Sequence, residues 1–160
     1  MIHLEKISKL DNSEIKRVIQ TVFLEHGINR PGTAYFDPCL NDMFSFYTGE
    51  RMIYLVARDG EKVIGGAGIY PTDGLTNDTC ELVKMYLLKE YRGFGIGRKL
   101  IEKCIGSANA LGYKNIYLET TPELNSAIKM YEKFGFLPIE NRMGNSGHHS
   151  CGIFMFKKLD

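Results

Sequence analysis

Three glycines alternate with other residues in YRGFGIGR, residues 91–98 of the chain. The residues before this segment, 79–88, predict a β-strand, and the residues after it predict a helix that runs to about Leu111 and ends at Gly112. A glycine-rich turn between a strand and a helix presents free backbone N–H groups at the positive end of the helix dipole. Residues 91–98 are therefore a candidate phosphate-binding turn.

Two common phosphate motifs do not fit this turn. A Walker sequence needs Lys and then Ser or Thr after its last glycine, whereas Gly97 is followed by Arg98, Lys99 and Leu100. A dinucleotide fingerprint spaces its glycines as GxGxxG, whereas Gly93, Gly95 and Gly97 are evenly spaced. A nucleoside triphosphatase and an NAD-binding protein are both disfavoured.

The rest of the chain predicts an α/β domain. A hairpin turn over Asp59-Gly60-Glu61 predicts that the strands on either side of it pair antiparallel. A strand-helix-strand-helix-strand order follows along the chain, which is typical of an α/β domain with a mixed sheet. The predicted strands are residues 2–7, 52–58, 62–70, 79–88, 115–120, 136–139 and 153–158. The other predicted helices are residues 13–26, 38–47 and 126–134. Residues 141–150, which contain two glycines and two histidines, predict a mobile loop.

Composition excludes several classes of protein. The 160 residues suit one domain, 1–160, and 20 Lys and Arg against 19 Asp and Glu give a net charge of +1, which disfavours a nucleic-acid partner. The four cysteines have neither zinc-site nor disulfide spacing, which favours reduced thiols and the cytoplasm. No apolar run is long enough for export or a membrane span.

The glycine turn reads Arg92-x-x-Gly95-x-Gly97, and it resembles the pyrophosphate-binding turn of the GNAT N-acetyltransferase superfamily. Two flanking segments are similar to that superfamily as well: Lys84-Met-Tyr-Leu87, and Asn125-x-Ala-x-x-x-Tyr131-x-x-x-Gly-Phe136. The resemblance is strongest over residues 79–136. It implies a mixed, mostly antiparallel sheet of six to seven strands, flanked by about four helices.

The resemblance also implies where coenzyme A would bind. Main-chain groups of Met85 and Leu87 would follow the pantetheine arm, Asn125 would hydrogen-bond to that arm, and a backbone N–H near residues 85–87 would stabilise the oxyanion. The pyrophosphate would lie against Arg92, Gly93, Phe94, Gly95, Ile96, Gly97 and Arg98. Arg98 and Lys99 open a helix whose dipole disfavours cations, so a bound anion would explain them, although two solvated side chains are the alternative.

Acetyl transfer to an amine also needs a general acid and a general base. The resemblance makes Tyr131 the acid that protonates the leaving thiolate, with packing against the sheet as its alternative role. Glu81 is the candidate base, with a solvent-facing strand carboxylate as the alternative. Glu119, His148 and a water relay are further candidates for the base.

A metal site is not expected. His148, His149 and Cys151 lie close together but lack a fourth ligand at any recognised spacing. By the same resemblance, the loop that carries both histidines would close over the acceptor site, where they would contact substrate or transfer a proton, with a solvated loop as the alternative. Residues 31–47 contain five aromatic side chains that form either a wall of that site or part of the core.

Two functions follow from the resemblance. The first is an acetyl-CoA-dependent N-acetyltransferase that moves the acetyl group directly to a primary amine of a small molecule or protein. The second is a non-catalytic, regulatory module that binds coenzyme A through the same fold. The acceptor and the oligomeric state, with a homodimer as one option, stay open.

Overall fold

The computed structural model describes residues 1–160, and all seven predicted strands are present. The strands are β1 (Ile2–Lys6), β2 (Ile53–Asp59), β3 (Lys62–Tyr70), β4 (Thr79–Leu87), β5 (Asn115–Thr120), β6 (Leu137–Ile139) and β7 (Ile153–Lys158). The α-helices are α1 (Asn12–Glu25), α2 (Met43–Phe46), α3 (Ile96–Ala110) and α4 (Asn125–Lys133). The predicted α/β class is confirmed.

The strands form one sheet in the order β1-β2-β3-β4-β5-β7-β6. Every neighbouring pair is antiparallel except β4 and β5, which run parallel. A parallel pair needs a crossover connection, and α3 supplies it between β4 and β5. This confirms the mixed, mostly antiparallel sheet of six to seven strands with about four helices.

Successive residues of a strand belong alternately to two hydrophobic clusters, one on each face of the sheet. Leu55 and Ala57 of β2 pack with α3, whereas Tyr54 and Val56 pack with α1 on the opposite face. This division follows from the two-residue period of a strand. Five apolar residues of α1 recur at helical spacing and form one apolar stripe, which is buried in full: Ile15, Val18, Ile19, Val22 and Phe23.

One predicted helix was wrong. Residues 38–47 do not form a continuous helix but a 3₁₀ turn, Pro38–Asn41, followed by the short α2. Asp42 separates them with φ −153° and ψ 69°, and its carboxylate accepts a hydrogen bond from Ser45 N at 3.2 Å. Asp42 therefore caps the start of α2, so the helical path is interrupted.

No helix in the structure combines the length and the apolar character that crossing a bilayer requires.

Candidate active site

The site is built on a gap between β4 and β5. These strands pair only from Thr79–Glu81 to Asn115–Tyr117, and beyond that point they separate. Three adjoining cavities follow the gap. We call them the glycine-turn cavity, about 390 Å³, the central cavity, about 50 Å³, and the aromatic cavity, about 740 Å³.

The glycine-turn cavity collects most of the residues that the sequence assigned to coenzyme A. Its lining includes Met85, Leu87, Arg92, Gly93, Gly95, Gly97, Arg98 and Asn125. Two of the assigned residues do not line it. The Phe94 side chain is 76% exposed to solvent, and Ile96 is buried in the hydrophobic cluster beneath α3.

A row of free backbone donors faces this cavity. The N–H groups of residues 93–98 donate to no acceptor in the protein, because α3 begins at Ile96 without a side-chain cap. Gly95 precedes the helix with φ 79°, a left-handed conformation that a residue with a Cβ rarely adopts. The turn therefore offers donors and a helix dipole that suit an anionic group.

Both arginines of the turn already have acidic partners. The Arg92 guanidinium donates to the two carboxylate oxygens of Glu25 at 2.6 and 3.0 Å and to Leu87 O at 2.9 Å. The hydrogen bond from Arg92 lowers the pKa of Glu25. Arg98 Nε donates to Glu102 at 2.8 Å. Glu25 and Glu102 are partners that the sequence did not indicate.

Beside the turn, β4 carries a bulge. Val83 pairs with Gly68 and Tyr86 with Gly66, so β4 has one more residue than β3 in this interval. Lys84 lies in the bulge with φ 47°. Its carbonyl accepts a hydrogen bond of 2.7 Å from the hydroxyl of Tyr54, a buried residue of β2. This hydrogen bond from the Tyr54 phenol therefore stabilises the main chain of the bulge.

Tyr131 and Glu81 both line the central cavity, although 50 residues separate them in the chain. Tyr131 is 6% exposed and packs edge-on against Phe136, and its hydroxyl has no hydrogen-bond partner within the protein. Burial raises the pKa of Tyr131, so the phenol stays protonated at neutral pH. The hydroxyl is therefore available to donate a hydrogen bond to a group inside the cavity.

Glu81 is not a solvent-facing strand carboxylate. It is 3% exposed, and Thr72 Oγ1 donates a hydrogen bond to its Oε1 at 2.6 Å. Burial raises the pKa of Glu81 to about 7, and the Glu119 carboxylate adds to the rise. A carboxyl group with this pKa takes up or releases a proton near neutral pH.

Glu119 also faces the central cavity, but its charge is already matched. Its side chain is 1% exposed and forms an ion pair with Arg142 at 2.6 Å. The hydroxyls of Tyr117 and Ser146 each donate to it at 2.5 Å. Both carboxylate oxygens of Glu119 therefore already have partners in the protein.

His148 joins the central cavity to the aromatic cavity, because it lines both. Its Nε2 lies 2.8 Å from Asp37 Oδ2, and Lys84 Nζ lies 2.8 Å from the same oxygen. Burial opposes ionisation of Asp37, but the contacts with His148 and Lys84 lower its pKa. The loop before β7 therefore reaches the junction of the central and aromatic cavities.

Backbone hydrogen bonds anchor other residues of this loop to the segments around Gly32 and Asp73. Ser150 N donates to Gly32 O at 3.0 Å, and Asn145 N donates to Asp73 O at 2.7 Å. His149 packs against Gly32 and does not line any of the three cavities. Of the five aromatic residues in 31–47, Phe46 and Tyr47 line the aromatic cavity, whereas Phe36 is exposed.

One group of side chains has the geometry to hold a metal ion. Potential ligand atoms of Glu81, Glu119 and His148 lie within 4.8 Å of one another. Glu119 is already paired with Arg142, and His148 already contacts Asp37. These protein contacts account for the arrangement. His149 and Cys151, which accompany His148 in the sequence, do not belong to this group.

Asp37, Thr72 and Arg142 are site residues that the sequence analysis missed. Each lies outside the predicted strands, in a segment without a periodic pattern. Their partners are distant in the chain: Arg142 binds Glu119 of β5, and Asp37 binds Lys84 of β4. No local signal in the sequence would have identified them.

Comparison with known proteins agrees with the resemblance that the glycine turn indicated. The model of the acetyltransferase (GNAT) family matches residues 19–136. The chain is 37% identical over 157 residues to an Escherichia coli protein named uncharacterized N-acetyltransferase YjgM, covering 98% of this chain and 94% of that protein. That name favours an enzyme over a non-catalytic module.

Two solved structures share the fold. A GNAT-family acetyltransferase of Staphylococcus aureus Mu50 superimposes with a TM-score of 0.86 at 22% identity, with both chains covered completely. YncA of Salmonella typhimurium, solved with its cofactor acetyl-CoA, gives a TM-score of 0.76 at 18% identity and covers 99% of this chain and 94% of its own. Together with the family match over most of the sequence, these findings confirm the resemblance first seen in the glycine turn: the chain belongs to the GNAT acetyltransferase family.

Proposed function

We propose that this protein transfers the acetyl group of acetyl-CoA directly to a primary amine of a small molecule or protein. The observation that carries the proposal is the shared lining of the central cavity. Glu81 and Tyr131 meet there, between a cavity rich in free N–H donors and a cavity open to an acceptor. A proton acceptor and a proton donor thus lie at the junction where two substrates would meet.

The glycine-turn cavity fits the cofactor. The free N–H groups of residues 93–98 would bind the pyrophosphate. Beyond Glu81, β4 still pairs with β3 but no longer with β5, which leaves its β5-facing edge near Met85 and Leu87 free for the pantetheine arm. Asn125 at the start of α4 would hydrogen-bond to the same arm. When bound, acetyl-CoA supplies the activated acetyl thioester.

Glu81 would act on the amine. A primary amine with an ordinary pKa of about 10.4 is protonated at pH 7 and must lose a proton before it can attack. Thr72 holds one oxygen of Glu81, and the other has no partner in the protein. Among the candidate bases, Glu81 is favoured because Arg142 neutralises Glu119 and Asp37 occupies Nε2 of His148.

Tyr131 would act on the departing thiolate. An unperturbed thiol has a pKa of about 8.5 and an unperturbed phenol about 10, and burial raises both because both acids become anions on deprotonation. The buried Tyr131 hydroxyl therefore remains the neutral donor, while a thiolate released in the same cavity becomes more basic than in water. The proton lost by Tyr131 is recovered from solvent.

Thiol release tests the proposed function. The purified protein is mixed with acetyl-CoA and a panel of primary amines, and free coenzyme A is followed with a thiol reagent. We expect amine-dependent release, with acetylated amine detected by mass spectrometry. Calorimetric binding of coenzyme A without turnover on a broad panel would instead support a regulatory binding module.

The pH profile should report Glu81. With its pKa raised to about 7, Glu81 is protonated below pH 7 and cannot accept the proton of the amine. We expect the maximal rate to rise about tenfold per pH unit below pH 7 and to level off above it. Glu81→Gln should lower the rate and abolish this rise. An unchanged profile in Glu81→Gln would assign the base to another group.

A further inference from the structure

The aromatic cavity has an uneven distribution of charge. Three of its lining residues are acids, Asp37, Asp73 and Glu81, and Lys84 is its one lysine or arginine. The Lys84 side chain is 6% exposed and pairs with Asp37 at 2.8 Å, and His148 contacts the same carboxylate. Lys84 and Asp37 neutralise each other, which leaves Asp73 and Glu81 without a cationic partner.

These two acids lie close together at different depths. Glu81 is buried at the junction with the central cavity, and it is held by Thr72, the residue directly before Asp73. Asp73 is exposed at the rim, where its carbonyl accepts the 2.7 Å hydrogen bond from Asn145 N. Neighbouring Cα atoms are about 3.8 Å apart and Thr72 contacts Glu81 directly, so the carboxylates of Asp73 and Glu81 are at most about 12 Å apart, a span within reach of one short ligand.

The aromatic walls of the same cavity also favour a cation. Phe46 and Tyr70 stack with ring centroids 4.8 Å apart, and Phe46 remains 40% exposed. Aromatic faces attract ammonium groups. The hydroxyl of Tyr47, which lines the same cavity and is buried, has no hydrogen-bond partner. An unpaired buried hydroxyl is costly, so a bound ligand with a hydrogen-bonding group would stabilise it.

We propose that the acceptor is a short aliphatic diamine, with the reacting amine at Glu81 and a second ammonium group held at Asp73. This proposal rests on the proposed function and adds a substrate class to it. The acetyl transfer is the one proposed above. The amine nitrogen gains the acetyl group and loses a proton to Glu81, and the departing thiolate takes a proton from Tyr131. Asp73 contributes charge to binding and takes no part in the transfer.

Three amines of similar length test the proposal: 1,4-diaminobutane, butylamine and 4-aminobutanoate. We expect kcat/KM for 1,4-diaminobutane to exceed that for butylamine about tenfold or more, with 4-aminobutanoate the poorest of the three. Asp73→Asn should reduce the ratio of diaminobutane to butylamine to within about threefold of unity. Glu61→Gln, which removes an exposed carboxylate at the opposite end of β3, should keep the wild-type ratio.

The possible failures are distinguishable. Equal kcat/KM for diaminobutane and butylamine would overturn the diamine proposal and leave amine acetylation in place. A preference for 4-aminobutanoate would also overturn it and would point to Lys84 as the recognition group. An Asp73→Asn variant that slows both amines in proportion would show a structural role for Asp73. If no amine is acetylated although coenzyme A binds, the proposed function itself fails.

Discussion

Tyr131→Phe is expected to lower the maximal rate of acetyl transfer by about 10²–10⁴-fold, the range that a positioned general acid contributes. The substitution removes only a hydroxyl that lines the central cavity and has no hydrogen-bond partner in the protein. The ring and its contact with Phe136 remain. The rate should therefore fall while the melting temperature and the affinity for acetyl-CoA change little. Initial-rate kinetics and calorimetry measure all three.

Tyr113→Phe is the matched control. The Tyr113 hydroxyl donates to Arg51 O at 2.6 Å, and the residue lines none of the three cavities. Loss of the Tyr113 hydroxyl should lower the free energy of unfolding by about 1 kcal/mol and leave the rate of acetyl transfer unchanged. The two variants thus separate chemistry from folding. A Tyr131→Phe enzyme that turns over at the wild-type rate would show that another group, or water, protonates the thiolate.

Gly66→Ala is expected to destabilise the protein by about 1–3 kcal/mol, because it overpacks a filled part of the sheet. A Cβ at Gly66 would lie 2.7 Å from Leu55 O and 2.7 Å from the ring of Tyr54. The Leu55 carbonyl belongs to the β2–β3 pairing and cannot retreat freely. For a domain of this size the loss corresponds to a fall in melting temperature of roughly 2–12 °C.

The same substitution should also affect the site. The Tyr54 hydroxyl that Gly66 accommodates holds the Lys84 carbonyl in the bulge of β4. Displacement of Tyr54 would release that carbonyl, so the maximal rate should fall even at temperatures where the variant is folded. Differential scanning calorimetry and kinetics on the same sample measure the two effects.

Gly106→Ala controls for the change of glycine to alanine. Gly106 lies inside α3, and an added Cβ meets no atom within 4 Å. Alanine there should stabilise the helix by about 0.5–1 kcal/mol, since glycine is less favourable in a helix interior. If Gly66→Ala proves as harmless as Gly106→Ala, then β2 and β3 must adjust more easily than their close contacts imply.

Local patterns were enough to predict most of the secondary structure. The β2–β3 hairpin, β7 at residues 153–158 and the apolar stripe of α1 follow from turn residues and periodicity, which act over a few neighbouring positions. The helix predicted at 38–47 was wrong because the decisive contact, the Asp42 side chain on Ser45 N, competes with helix continuation.

The candidate site was likewise predictable from the sequence only in part. The glycine turn was recognisable because its glycines, its helix start and its arginine occupy consecutive positions. Asp37, Thr72 and Arg142 were not, because each acts through a partner brought close only by the fold. The role of Asp73 in the aromatic cavity likewise depends on the distant segments that surround it.

The amino-acid sequence by itself indicated the family, most of the order of strands and helices, and a candidate phosphate-binding turn, because those depend on contiguous residues. Only the tertiary structure decided that Glu81 is buried with a pKa of about 7 and not exposed on a strand. It also decided that Tyr131 faces the same cavity. The physical reason is that burial and charge pairing arise between segments far apart in the chain, where β4 and β5 separate.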